Sequence, residues 1–170
     1  MRVWNGLSKL RPTPRSDKEV NDMEVTNELR LTFPSLSANE GFARAAVAAF
    51  CAQLNPTYEE LADIKCSVSE AVTNCIVHGY RNTMGDIYMN IRLLSDRNIK
   101  IEIRDKGCGI PDVAEAMKPL FTTDPENERS GMGFTVIENF MDTLKVSSQV
   151  GKGTKVTMTK RLSVISRIKG

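Results

Sequence analysis

Between Ile87 and Ile103 apolar side chains recur at every second position: Ile87, Met89, Ile91 and Leu93, then Ile99, Ile101 and Ile103. Only an extended chain sends alternate residues to one face, so 87–94 and 99–103 each predict a strand with one buried side. Ser95, Asp96, Arg97 and Asn98 lie between them and predict a turn, which makes the pair an antiparallel hairpin. A hairpin that is apolar on one face is not stable alone in water and needs a second layer over that face.

The segments before the hairpin supply that layer. Leu29, Leu31 and Phe33 alternate with polar residues and predict a strand over 28–33, ended by Pro34. Ser37 with Glu40 has the spacing of a capping box, and the helix it opens runs to about Leu54 with Phe42, Ala46, Ala49 and Phe50 on one side. Thr57 with Glu60 is a second capping box. The helix after it places Leu61, Ile64, Val68, Ala71, Val72, Cys75 and Ile76 at helical spacing, with Gly79 as its expected C-cap. Beyond the hairpin the sequence predicts a short helix at 112–117, a helix at 134–141, and strands at 144–148 and 155–162. The order β-α-α-β-β-α-α-β-β predicts an α+β fold: a two-layer sandwich with helices on one face of a mixed, mainly antiparallel sheet.

Composition narrows the function classes. Of 170 residues, 41% are hydrophobic and 26% charged, ordinary for a globular protein, and no apolar run approaches a membrane span. Residues 1–22 lack the apolar block of a secretory signal, so a cytoplasmic protein without membrane partners is expected. The four cysteines, Cys51, Cys66, Cys75 and Cys108, form no C-x-x-C pair, and His78 is the one histidine, which argues against a zinc site. Residues 1–22 carry five Lys/Arg and three Asp/Glu, 164–170 add Arg167 and Lys169, and the body from 23 to 163 is net −2. That body is no nucleic-acid binder. The expected division is a disordered leader or non-native extension at 1–22, with Met23 a second possible start, one domain at 23–163, and a basic tail at 164–170.

Four constellations carry chemistry. Glu70, Asn74 and His78 follow at i, i+4 and i+8, a polar line on an otherwise apolar helix. A carboxylate there can act as a general base, and an amide oxygen one turn on suits a hard cation such as magnesium. The same spacing also fits a solvated stripe. Asp105-Lys106-Gly107-Cys108-Gly109 follows a strand, where two glycines let the backbone approach a flat ligand and the acid can accept from an exocyclic amine; a tight turn reads the same way. Arg129-Ser130-Gly131-Met132-Gly133 precedes a helix, where free N–H groups and the dipole favour phosphate; a flexible linker would look alike. Gly151-Lys152-Gly153-Thr154 fits a hairpin turn equally well.

Taken in order, these motifs resemble the Bergerat-fold ATPases, the GHKL superfamily of DNA gyrase, the ninety-kilodalton heat-shock chaperone, histidine kinases and MutL. The resemblance spans about residues 25–162, and no G-x-x-x-x-G-K-[ST] phosphate loop is present. The chain has no room for the transducer domains of gyrase, the chaperone or MutL, and its one histidine lies inside the nucleotide motif. The stretches S-E-A-V-T-N-C-I-V-H-G-Y, P-L-F-T-T, E-R-S-G-M-G-F and S-S-Q-V-G-K-G-T are most similar to the anti-sigma F factors, stand-alone serine kinases of sporulation.

That resemblance implies roles for residues of this sequence. Glu70 would be the general base and Asn74 the magnesium ligand. Asp105 would bind the adenine amino group, with Gly107 and Gly109 shaping its pocket and Thr154 near the adenine edge. His78 would support the site. Thr122, Thr123, Arg129, Ser130, Gly131, Met132 and Gly133 would hold the phosphates. It also implies transfer of the γ-phosphoryl of ATP, with Mg2+, to a serine of an anti-anti-sigma factor, and sequestration of sporulation sigma factor F. It further implies a homodimer formed through the first strand and helix, with Arg44 contacting both partners. ATP would favour the sigma complex and ADP the anti-anti-sigma complex. Two alternatives remain open: a kinase of the same branch serving a stress sigma factor, and a nucleotide-gated binding module without kinase activity. Cys108 either packs in its loop or makes the site sensitive to thiol oxidation.

Overall fold

The computed structural model describes residues 19–20, 22–118 and 133–164. In chain order the elements are β1 (Val25–Pro34), α1 (Ala38–Cys51), α2 (Tyr58–Asn74), β2 (Asp86–Leu94), β3 (Asn98–Arg104), α3 (Val113–Ala116), α4 (Gly133–Phe140), β4 (Thr143–Gln149) and β5 (Gly153–Arg161). The five strands form one sheet in the order β1-β2-β3-β5-β4. Every neighbouring pair is antiparallel, so the sheet is not mixed at any described pairing. The path of the chain explains this. Two helices separate β1 from β2, one running back and one forward, so β2 begins beside the end of β1, with Pro34 opposite Asp86. β3 and β4 run the same way, but β5 folds back from β4 and lies between them, pairing with both.

The predicted hairpin is the centre of this sheet. Ile87, Met89, Ile91 and Leu93 of β2 and Ile99, Ile101 and Ile103 of β3 are all at most 2% exposed. Each such isoleucine contributes about 1.5–3 kcal/mol through burial alone. The turn between the strands is a single 3₁₀ turn, Ser95–Arg97, with Asp96 and Arg97 at positive φ. Asn98 begins β3, and its amide donates to the Ser95 and Asp96 carbonyls at 3.1 and 3.0 Å.

The helices cover the apolar face. On α2, Ile64, Val68, Ala71 and Val72 are fully buried, as their spacing predicts. On α1 the buried line is Ala43, Val47 and Cys51, and Phe42 stands 54% exposed with its ring edge-on to Phe33 at 6.4 Å. This alanine-rich helix has small residues on several sides, so spacing alone picked the neighbouring stripe. Burial pushes the Cys51 thiol up to about 12, so it stays a neutral packing group. Lys160 enters the same layer from β5, only 6% exposed. Its ammonium donates to Asp63 Oδ2 at 3.0 Å and to the Phe140 carbonyl at 2.5 Å, tying the C-terminal end of α4 to α2. A cation there meets the negative end of the α4 dipole.

The two capping boxes differ. Thr57 and Glu60 form theirs, each side chain accepting from the other's backbone N–H at 3.2 and 2.8 Å. Ser37 does not: it is already helical at φ −56° and ψ −32°, with no side-chain cap bond. Glu40 turns instead toward α2, where it accepts from the Ser69 hydroxyl and lies 3.6 Å from Arg44. Nor does Gly79 cap α2. The helix passes into a π-helical turn, Cys75–Tyr80, and Arg81 takes the positive φ after it.

The opposite face of the sheet is polar. Glu28 accepts from Arg92 Nε at 2.7 Å, Asn90 Nδ2 at 3.0 Å and Arg30 at 2.7 Å, and Glu102 lies 3.5 Å from Arg92 and 4.0 Å from Lys155. Val20, 3% exposed, is buried over this face beside a cavity of about 230 Å³ that Lys100, Lys145 and Lys155 also line.

Two predictions follow from these contacts. Thr57→Ala should cost about 1 kcal/mol in urea unfolding, and Ser37→Ala should be close to neutral, because only the first residue caps. The Arg92 hydrogen bond, with Asn90 and Arg30, lowers the Glu28 carboxyl from 4.5 to about 2. Its stabilisation is complete above about pH 4.5 and is lost as pH falls toward 2. The melting-temperature gap between the wild type and Glu28→Gln should therefore close across that window. A gap that persists at pH 2 contradicts the assignment.

Candidate functional site

Glu70 and Asn74 lie one turn apart near the end of α2, and the first residue of α4 is set directly against them. A Cβ built on Gly133 would lie 3.2 Å from Glu70 Oε2 and 3.2 Å from Asn74 Nδ2. A carboxylate and an amide thus meet the N-terminal end of a helix, where backbone N–H groups favour an anion. Among the described residues no group of three or more His, Cys, Asp and Glu is placed to hold a metal ion. A magnesium ion beside Asn74 and Glu70 would therefore draw most of its oxygens from a polyphosphate and water, the usual coordination of this ion.

The second half of the site is the loop after β3. Asp105 is 2% exposed, an unusual place for a carboxylate. Its Oδ1 accepts from Gly107 N at 2.8 Å and Thr154 N at 3.2 Å, and its own N–H donates to the Thr154 carbonyl at 3.0 Å. The loop is strapped to the π-helical turn: Cys108 N donates to the Gly79 carbonyl at 2.8 Å, and the Cys108 thiol to the His78 carbonyl at 3.1 Å. Gly107 must be glycine here, because a Cβ would stand 2.0 Å from that Gly79 carbonyl oxygen. Gly109 is at φ +73°, and a Cβ on it would meet the Gln149 carbonyl at 2.2 Å. Beneath them, burial and then the Asp105 charge push the Cys75 thiol well up, so it stays protonated.

The β4–β5 turn buttresses the same loop. Gly151 N donates to the Cys108 carbonyl at 2.8 Å, and Ile110 N donates to Ser148 Oγ at 2.7 Å. Ser148 and Thr154 hydroxyls pair at 2.9 Å. The Gly-Lys-Gly-Thr motif is thus both a hairpin turn and a wall of the site. Ser148 and Tyr80 were missed from sequence. Ser148 had a signal, since it shares its side of β4 with the partly buried Leu144 and Val146 and is polar there. Tyr80 had none.

The structure therefore brings together Glu70, Asn74 and Gly133 at one end, and His78, Asp105, Gly107, Gly109 and Thr154 at the other, joined through residues 74–80. Arg44 stands apart on the exposed side of α1, its side chain 47% exposed. Thr122, Thr123, Arg129, Ser130, Gly131 and Met132 lie outside the described residues.

The chain is similar to known proteins in sequence and in fold. The family model described as histidine kinase-like ATPase domain matches residues 33–160. An anti-sigma F factor from Thermoanaerobacter sp. (strain X514) is 59% identical over 138 residues, covering 81% of this chain and 96% of that protein. The anti-sigma F factor of Bacillus licheniformis is 55% identical over 140 residues, covering 82% and 95%. The chain belongs to the anti-sigma F factor family. It is an anti-sigma factor built on a kinase-like, nucleotide-binding ATPase domain. Among solved structures, the RsbU and RsbW domains of Rv1364c from Mycobacterium tuberculosis share the fold with a TM-score of 0.63 at 22% identity, over 85% of this chain and 35% of that one. Full-length ShkA in complex with AMPPNP shares it at a TM-score of 0.51 and 12% identity, over 85% and 32%. Among the described residues no helix is long and apolar enough to cross a membrane.

The strap between the two halves of this anti-sigma ATPase domain predicts a contrast between two glycines. Gly107→Ala must displace the Gly79 carbonyl and should cost about 1–3 kcal/mol in denaturant unfolding. Gly41→Ala, on α1 with nothing within 4 Å of its Cβ position, should gain about 0.5–1 kcal/mol. Equal effects would show that the contact at Gly107 does not bear on stability.

Proposed function

We propose that this protein is a serine kinase that phosphorylates an anti-anti-sigma factor with Mg-ATP and holds sporulation sigma factor F away from RNA polymerase. One observation carries the reading: Glu70 and Asn74 converge on the helix start at Gly133, while a buried carboxylate, Asp105, sits in the glycine loop strapped to the turn that continues their helix. A nucleotide laid from this loop toward α4 would have its base at Asp105 and its phosphates at the start of α4. Asp105 accepts from the exocyclic amine of adenine, in a pocket shaped by Gly107 and Gly109 with Thr154 at its edge and His78 in support. The phosphates meet the helix N-terminus, with Thr122, Thr123, Arg129, Ser130, Gly131, Met132 and Gly133 assigned to hold them.

In this mechanism Glu70 accepts the proton of the attacking serine hydroxyl as its oxygen bonds to the γ-phosphorus and the bond to ADP breaks. Asn74 would supply an oxygen ligand for magnesium, which when bound would neutralise charge on the phosphates. Arg44, exposed on α1, is the assigned contact for both protein partners. A homodimer through β1 and α1 is supported by β1 being an edge strand of the described sheet and by the exposed Phe42 beside it. Sigma factor F as a partner is supported by the name of the relatives, anti-sigma F factor; the anti-anti-sigma factor is carried over from the sequence resemblance, and a cytoplasmic site of action from the lack of a signal block in residues 1–22.

Purified protein with Mg-ATP and the anti-anti-sigma partner is expected to yield phosphoserine. Glu70→Gln should slow that transfer about 10²–10⁴-fold while leaving ATP affinity largely intact. An unchanged rate would falsify the assignment of the base. Sigma binding that requires ATP, with no phosphate transferred, would instead mark a nucleotide-gated binding module. Recovery of a stress sigma factor in a pull-down would move the partner assignment and leave the chemistry standing.

A further inference from the structure

The residue that locks the loop of Asp105 in place is the last of the stretch S-E-A-V-T-N-C-I-V-H-G-Y and was assigned no role there. Tyr80 ends the π-helical turn and is 7% exposed. Its hydroxyl makes two bonds at once: it donates to the Asp86 carbonyl at 2.5 Å and accepts from Lys106 N at 2.9 Å. The ring is held in position, because it lies against the backbone of Gly85. A Cβ on Gly85 would fall 2.2 Å from the ring. Lys106 is fixed from its other end as well, with its ammonium 4.8 Å from the centre of the Tyr88 ring. Burial pushes the Tyr80 phenol up, so the proton that bridges to Asp86 is retained at neutral pH.

The geometry bears on Asp105 through one peptide. The N–H of Lys106 belongs to the peptide unit that carries the Asp105 carbonyl. The Asp105 N–H on the other side is bound to Thr154. With both flanking peptides tied, the Asp105 Cα is held between two fixed planes, which sets the direction of its Cα–Cβ bond and keeps Oδ1 within reach of the Gly107 and Thr154 N–H groups. Loss of the Tyr80 bond frees one plane and leaves a part-buried N–H without its acceptor.

We propose that Tyr80 is a positioning residue for base recognition: through the Lys106 N–H it sets the aim of the Asp105 carboxylate, and with it the preference for a purine bearing an exocyclic amine over one bearing an oxo group. This rests on the reading of Asp105 as the base-recognising carboxylate. It predicts that the hydroxyl affects binding of the base and leaves binding of the phosphates alone.

Tyr80→Phe keeps the ring on Gly85 and removes both hydrogen bonds. Calorimetry with ATP, GTP and inorganic tripolyphosphate, all with magnesium, reads the effect. ATP should bind about 10-fold more weakly, as expected for a lost hydrogen bond to a part-buried group. Tripolyphosphate should change less than about twofold, so that the ATP-to-GTP preference narrows by nearly the full factor. Parallel weakening of ATP and tripolyphosphate, or no change in ATP, overturns the proposal. Asp105→Asn is measured alongside. If it keeps the preference for ATP, the reading of Asp105 fails and the proposal with it. If it loses the preference and Tyr80→Phe keeps it, the role of Tyr80 alone is wrong. Should Tyr80→Phe not fold, hydrogen exchange on the unmodified chain decides. The Lys106 amide must be protected, and more so with adenosine; exchange at the rate of an open loop overturns the proposal.

Discussion

The site depends on one close approach of two backbones. Residues 78–80 at the end of α2 and residues 105–108 after β3 touch with almost nothing between them: Gly79 and Gly107 face each other, and the Gly79 carbonyl takes the Cys108 N–H. One segment belongs to the helical layer and the other to the sheet. Their contact fixes the distance from Glu70 and Asn74 to Asp105, and so the length of ligand that can reach both. Any side chain at Gly107 would force the layers apart at this point. The π-helical turn is consistent with this, since such turns often occur where a helix is reshaped at a functional site.

Electrostatics is arranged differently on the two faces of the sheet. On the outer face, Glu28, Arg30, Arg92, Glu102 and Lys155 form a surface network across β1, β2, β3 and β5, of the kind that salt screens readily. On the helix side the described charged groups are few and committed. Lys160 is bound to Asp63 and to the end of α4, and Asp105 to backbone N–H groups. A buried lysine deprived of Asp63 would be costly, so this pair holds α4 in one position relative to α2. Since α4 begins at Gly133 against Glu70 and Asn74, that anchoring also steadies the site.

Much of this was legible in the sequence, for identifiable reasons. The hairpin at 86–104 reads directly from its period of two, and α2 from its apolar spacing and its Thr57–Glu60 cap. Glu70, Asn74, Asp105 and the glycines stood out because polar or glycine residues interrupt strong apolar patterns. The failures were where local sequence carries no information about tertiary partners. Ser37 and Glu40 have the spacing of a capping box, but Glu40 has a better-placed acceptor role with Ser69 on another helix. Gly79 reads as a helix stop, and its actual work is to leave room for the Asp105 carboxylate, which a Cβ there would meet at 3.0 Å. The strand order could not be read at all, because it depends on which edge the β4–β5 hairpin joins.

That order has a consequence for biosynthesis. β5 lies between β3 and β4, so the last of the described strands is an interior one. Until residues 153–161 have left the ribosome, β3 has no partner on one side and Asp105 lacks Thr154. A nascent chain can form the β2–β3 hairpin and lay α1 and α2 over it, but it exposes a bare strand edge while it waits. The surroundings of Asp105 are therefore completed only after translation of β5, which joins both halves of the sheet.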